Sequence, residues 1–484
     1  MIDIATKIHD DFSIELKVGF VTRKKLRMND FSLAMWIFVP GSLDISRSTY
    51  PKEMFYQDVK SNIRLITPVF LLRDIAGGDA VPLVSLRHAL EEMSSSPSRT
   101  RFAECEYQVK MFVAIVKSAL RDDLAHIRQN RILGDREGLC ARYVENAENI
   151  LEEYAGLRSI INVSSLTDET LKTYLYGDEF LCDIMGKRLL DLISWMRECG
   201  LSDPGNRAVA LYQRIDAHKS EMGYSVIQPD DPLRNRTFLH RFSVLKKYIE
   251  SILYLRAAKK RDGVLIEQLY LSVAAGVAMI FATVISFAFQ RKFGSLTIPL
   301  FIALIISYML KDRIKELTRY YFAHRIGSKY FDNKAKIRHK ETSLGWLKEG
   351  VDFISASKVP PQIMAIRNNS HLTEIENNIT TEKILLYRKS VHIDREKLQQ
   401  GSTYVFSGIN DIIRLNVKGF TKMMDNPRIP IKTLDADGNL RVVGCDRVYF
   451  LNMILQYRYD DSIEYRRLRV AISRKGIQSI EEVQ

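Results

Sequence analysis

Two uncharged stretches near the middle of the chain constrain its fold more than any other feature. Between Glu267 and Arg291 run 23 residues without a charge, including LYLSVAAGVAMIFATVISFAF from Leu269 to Phe289. Between Lys292 and Lys311 run 18 more, FGSLTIPLFIALIISYML. At about 1.5 Å of rise per residue, these make helices roughly 34 Å and 27 Å long. A bilayer's hydrocarbon core is about 30 Å thick, so both lengths fall in the spanning range. The pattern predicts a two-helix transmembrane hairpin, with helices at about 268–290 and 293–310.

Basic residues mark the outer ends of this hairpin. Arg256, Lys259, Lys260 and Arg261 precede it, Lys311, Arg313, Lys315, Arg319 and Arg325 follow it, and only Arg291 and Lys292 stand in the turn. Positive charge stays on the cytoplasmic side of a membrane, so the asymmetry predicts an integral inner- or plasma-membrane protein with both termini cytoplasmic. Arg256, Lys259, Lys260, Arg261, Lys311, Arg313, Lys315 and Arg319 are then expected to ring the membrane interface. Their partners there would be anionic lipid headgroups.

The net charge of +13 invites comparison with a nucleic-acid binder, but its distribution argues otherwise. Residues 1–255 carry 34 basic and 35 acidic groups, residues 256–345 carry 16 and 6, and residues 346–484 carry 21 and 17. The excess sits around the apolar stretches, not along a folded domain that would track phosphates. Nucleic acid is therefore not the expected partner. The N-terminal sequence MIDIATKIHDDF lacks a basic segment followed by an apolar run, so no cleavable signal is expected. Five scattered cysteines with no CxxC pair are expected to be reduced thiols facing the cytoplasm. The Asn-x-Ser/Thr triplets at Asn162, Asn368 and Asn378 carry no meaning on that side.

Along the first helix, Ala274, Ala278, Ala282 and Ser286 recur every four residues. Aligned small side chains let helix backbones approach closely in lipid. The seam serves either packing against the second helix or a homo-oligomer. Neither helix holds an ionisable residue, and Pro299 is the one helix breaker. Ion-coupled transport uses intramembrane charges or broken helices, so the hairpin reads as an anchor, or as a pore only when several copies assemble.

The flanks are expected to be separate domains. Ile14, Leu16, Val18 and Phe20 alternate with polar residues as in a half-buried strand. FSLAMWIFV (31–39) and IRLITPVFLL (63–72) read as buried strands, although Pro68 interrupts the latter. From 101 to 130 an apolar stripe repeats at helical period, and further helices are expected at about 138–162, 167–199, 205–221 and 237–260. Residues 1–255 thus read as an α+β domain, a small sheet plus a helical bundle. Residues 256–325 hold the hairpin and its basic flanks, and 326–382 form a mixed linker region. Residues 383–484 read as an antiparallel β domain, with a hairpin turning at Asp437-Gly438.

Catalytic chemistry is not visible. No phosphate-binding loop, nucleophile elbow, zinc-type spacing or dinucleotide fingerprint occurs, and no cofactor, metal or catalytic residue is expected. LDADGNL suits a turn better than a calcium loop. His392 and Asp394 share a strand face that reads as solvated. Glu179, Asp183, Lys187 and Asp191 form a ladder at helical spacing that reads as an exposed charged face. Asp123 falls inside an apolar helical stripe beside Leu120 and Ile127, which makes it a candidate buried, paired carboxylate. The expected function is a membrane-anchored binding, sensing or scaffolding module for a cytoplasmic protein or ligand. A membrane-perturbing oligomer and a tethered enzyme with a scattered site are the alternatives.

Overall fold

The structure, a computed structural model, describes residues 2–130, 133–161, 168–201, 206–294, 297–321, 331–369, 382–400, 402–459 and 462–483. The chain opens with β1 (Ile2–Asp10), β2 (Ser13–Val21), β3 (Met28–Val39), α1 (Lys52–Asp58) and β4 (Val59–Leu65). Helices follow: α2 (Leu72–Ala76), α3 (Val81–Ser95), α4 (Arg99–Gln129) and α5 (Leu133–Gly156). Next come α6 (Arg158–Ile161), α7 (Asp168–Glu198), α8 (Arg207–Glu221) and α9 (Pro232–Glu250). The chain returns to strand at β5 (Arg256–Arg261) and leaves it again through α10 (Val264–Phe293) and α11 (Ile298–Tyr321). It continues with β6 (Asn333–His339), β7 (Thr342–Ile354), α12 (Pro361–Asn368), β8 (Lys383–Asp394), α13 (Arg395–Gln399) and β9 (Gly408–Asn416). Last are β10 (Arg428–Leu434), β11 (Leu440–Asp446), β12 (Tyr449–Tyr459), β13 (Ser462–Ser473) and β14 (Gly476–Val483).

Helical and antiparallel sheet regions both occur, but they are not parcelled out along the sequence as expected. One compact unit comprises Met1–Arg64, Leu255–Ser402 and Gly408–Gln484, and the other comprises Leu65–Tyr254 and Thr403–Ser407. In the first unit an eight-stranded sheet runs β14-β13-β12-β3-β8-β7-β6-β5 and a four-stranded sheet runs β1-β2-β9-β4. The N-terminal β3 thus sits between β12 and β8, pairing Met35 with Leu455 on one side and with Tyr387 on the other. Likewise β2 pairs with β9. The expected division into a 1–255 domain and a 383–484 domain is therefore corrected: strands from both flanks interleave in the same sheets. The expected 326–382 linker supplies β6, β7 and α12 to this unit.

The apolar run of β3 has its cause in that central position. Phe31, Leu33, Met35 and Ile37 are buried on one face, and Trp36 and Phe38 pack on the other with Val359 and Ile363 beside α12. A strand covered on both faces shows no polar alternation. β4 stops at Leu65, short of Pro68, which has no backbone N–H to give a ladder. The helix expected at 237–260 ends at Glu250, and Arg256–Arg261 is strand.

One buried ion pair links β8 to β9: Lys389 with Asp411, whose side chains are 1% and 0% exposed. Ser61 completes it, accepting from Lys389 Nζ at 2.7 Å and donating to Asp411 Oδ1 at 2.9 Å. In the helical unit, α4 carries the core stripe Val109, Phe112, Val113, Val116, Leu120, Leu124 and Ile127. Gly177 of α7 lets the helices come close: a Cβ there would lie 2.4 Å from Tyr154 Oη and 2.8 Å from Val109 Cγ1.

Candidate functional sites

The apolar hairpin is an insertion between two hydrogen-bonded strands. β5 and β6 pair antiparallel from Arg256 opposite Arg338 to Arg261 opposite Asn333, and the ladder is extended by Asp262 N–H donating to Asp332 O at 3.1 Å. Everything in α10 and α11 leaves and returns at that one place. Among the described residues, one helix, α10, is long and apolar enough to cross a membrane. Its 30 residues extend about 45 Å. Leu269, Val273, Val277, Ile280, Val284 and Phe287 lie exposed on it. The first half of α11 is apolar and its second half is charged from Lys311 onward.

The small-residue seam joins α10 to α11. Ala274 and Ala278 are buried, as are Ala303 and Ser307 of α11, and Ser307 Oγ donates to the carbonyl of Ala282 at 3.1 Å. Ala282 and Ser286 are half-buried.

The eight basic residues expected at the membrane interface divide in the structure. Lys259 turns inward: its Nζ lies 2.6 Å from Glu349, a fully buried carboxylate that also accepts from Tyr387 Oη at 3.1 Å. Arg261 pairs with Glu267 at 3.0 Å, at the start of α10. Lys311 stacks over Tyr308, and Arg313, Lys315 and Arg319 are exposed along α11. Arg325 lies outside the described residues. Sequence reasoning missed three further cations, Lys334, Lys336 and Arg338 of β6. Because side chains alternate across a strand and Arg256 and Lys260 stand opposite Arg338 and Lys334, these five cations share one exposed face. Trp346 stands opposite Lys336 on β7 and lies 5.7 Å from the Lys334 ammonium. On an edge strand such charge also discourages pairing with another sheet.

The helical unit holds a second concentration of polar groups. Asp178, Glu179, Cys182 and Asp183 of α7 are buried, which corrects the reading of Glu179 and Asp183 as an exposed face. Arg241 of α9 clasps Glu179 at 2.7 Å, and Lys219 of α8 meets Asp183 at 2.7 Å. His218 Nε2 lies 2.9 Å from Asp178 Oδ2, and Tyr224 Oη donates to the same oxygen at 2.9 Å. Burial, with Asp178 beside it, pushes the Tyr224 hydroxyl up, so it stays a donor. Burial likewise pushes the Cys182 thiol up, with the carboxylates of Asp178 and Asp183 adding to the effect.

The chain matches no known protein family, curated protein or solved structure.

Asp123 does not have the partner expected of it. It is half-buried, and among the described residues it makes no hydrogen bond or ion pair. Burial raises its pKa, offset in part by His126, Arg142 and Arg73. It does not line the polar cleft of the helical unit, a space of about 540 Å³ walled by Arg87, Asn149, Glu152, Glu153 and Ser159. His392, expected on a solvated strand face, stacks on Trp346 with ring centroids 5.1 Å apart and pairs with Asp30.

Proposed function

We propose that this is a membrane-anchored protein whose α10–α11 pair crosses the bilayer as a hairpin, leaving the rest of the chain on the cytoplasmic side as a binding, sensing or scaffolding module. The observation that carries this reading is the site of insertion. An apolar helix pair that starts and ends at adjacent hydrogen-bonded strands returns to the face it left, so an even number of crossings is the natural solution. The nine-to-two excess of Lys and Arg outside the hairpin over those in its turn orients that face toward the cytoplasm. The five cations of β5 and β6 and Trp346 stand where the chain enters α10. That combination suits an anionic headgroup layer, in which basic and aromatic side chains both partition favourably.

The anchor reading is favoured over an assembled pore because the small-residue seam of α10 is already occupied by α11. Reporters fused at residues 1 and 484 and a third placed after Gly294 test the topology. The first two should report cytoplasm and the third the opposite side. Agreement among all three would rule out a crossing hairpin.

A further inference from the structure

We propose that Asp178, Cys182 and His218 form a binding site for a zinc-like divalent metal ion in the helical unit. Asp178 and Cys182 are four residues apart on α7 and so point from one helix face, and His218 reaches them from α8. One ligand atom from each lies within 4.8 Å of the other two. A tetrahedral zinc, with bonds of about 2.0–2.3 Å, sets its ligand atoms roughly 3.2–3.8 Å apart. The set therefore has to close slightly, and the side chain best able to move is His218, at 38% exposed against 9% for Asp178.

The ligand chemistry favours a borderline-soft ion. A thiolate, an imidazole and a carboxylate form a donor set used by zinc, whereas calcium and magnesium take oxygen alone. Cys182 is the second, independent pointer. It is 2% exposed, and no hydrogen bond to its sulfur is found among the described residues, yet it sits beside two carboxylates and a histidine. Those are poor neighbours for a thiol that merely fills space. Charge agrees. With His218 as the neutral imidazole that a metal ligand has to be, the three carboxylates Asp178, Glu179 and Asp183 face two cations, Lys219 and Arg241, leaving one negative charge over. Loss of the thiol proton on metal binding would make that two, matching a dication. Tyr224 Oη donates to the Asp178 oxygen that faces His218, as outer-shell donors do for metal carboxylates. With three protein ligands and a half-exposed histidine, the fourth position is left to water or a ligand.

The competing arrangement is a simple His218–Asp178 ion pair with an inert thiol. Full-length protein in detergent, purified without chelator, distinguishes the two. Mass spectrometry should find about one zinc per chain. Chelation should lower the melting temperature, and added zinc should restore it. Replacing zinc with Co²⁺ should give a thiolate-to-cobalt charge-transfer band in the near ultraviolet that disappears in Cys182→Ser and persists in Cys199→Ser, whose thiol is exposed. His218→Gln, at the most accessible ligand, should fold and bind zinc at least tenfold more weakly; it decides the question if Cys182→Ser does not fold. A metal-free protein whose melting temperature ignores zinc would overturn the site. So would a cobalt band or a zinc response unchanged in His218→Gln.

Discussion

Lys389 and Asp411 are two opposite charges almost wholly withdrawn from water, with Ser61 bridging them. Such a pair is strongly destabilising to break and of little net value to keep. Lys389→Met and Asp411→Asn should each lower the unfolding free energy by about 3–5 kcal/mol in denaturant titrations, while Lys389→Met with Asp411→Leu should recover most of the loss. A double variant no better than the singles would show that the pair does more than satisfy itself. Asp123 behaves in the opposite sense. A carboxyl whose pKa is raised in the folded state stabilises the fold below its ordinary titration range and loses that contribution as pH rises through the raised value. At neutral pH, Asp123→Asn should therefore be neutral or stabilising, within about 0.5 kcal/mol. The difference from the parent protein should shrink in acid. A large loss of stability in Asp123→Asn would mean that the carboxylate has a partner after all.

Among the elements, those with a strong internal period were legible in the sequence. The β2 alternation, the apolar run of β3, the long helices α4 and α7 and the β10–β11 hairpin all stand close to where their patterns put them. β6 and β14 were missed because much of each strand is exposed and their polar residues mask the alternation. β5 reads as a basic helix end because RAAKKR favours a helix locally, and only its ladder with β6 makes it a strand. The Asp178, Cys182 and His218 cluster was hidden for a different reason: two residues one helical turn apart and a third forty positions on make no recognisable spacing. What signal existed lay in Glu179 and Asp183, whose ladder looks the same whether solvent or Arg241 and Lys219 answer it. Close helix contact gives a further test. Gly177→Ala pushes a methyl group into Tyr154 and Val109 and should cost about 1–3 kcal/mol, measured by thermal unfolding of the helical signal. No loss there would mean that α4 and α7 separate more readily than their packing implies.

For the molecule as a whole, the hairpin's insertion between neighbouring strands makes it removable. Replacing residues 263–331 by Asn-Gly would leave β5 and β6 joined by a tight turn and keep Asp332, which accepts from Lys52 at 2.7 Å and Tyr56 at 2.9 Å. The shortened chain should purify without detergent as a monodisperse species, checked by light scattering, with its β-sheet circular dichroism intact. Aggregation would show that the hairpin contributes to folding of the sheet unit. The placement of β3 also sets a timetable for synthesis. Its first partner, β8, begins at Lys383, so β3 leaves the ribosome and waits while the stretch from Val39 to Lys383 is made. At about 5–20 residues per second that delay is roughly 20–70 seconds. During that interval the nascent chain presents an apolar strand with both edges bare, and the hairpin is synthesised before either neighbour of β3 exists. Ribosome stalling before Lys383 should therefore yield a product that chaperones hold and proteases clear, with helices α1 to α12 synthesised and the eight-stranded sheet unformed.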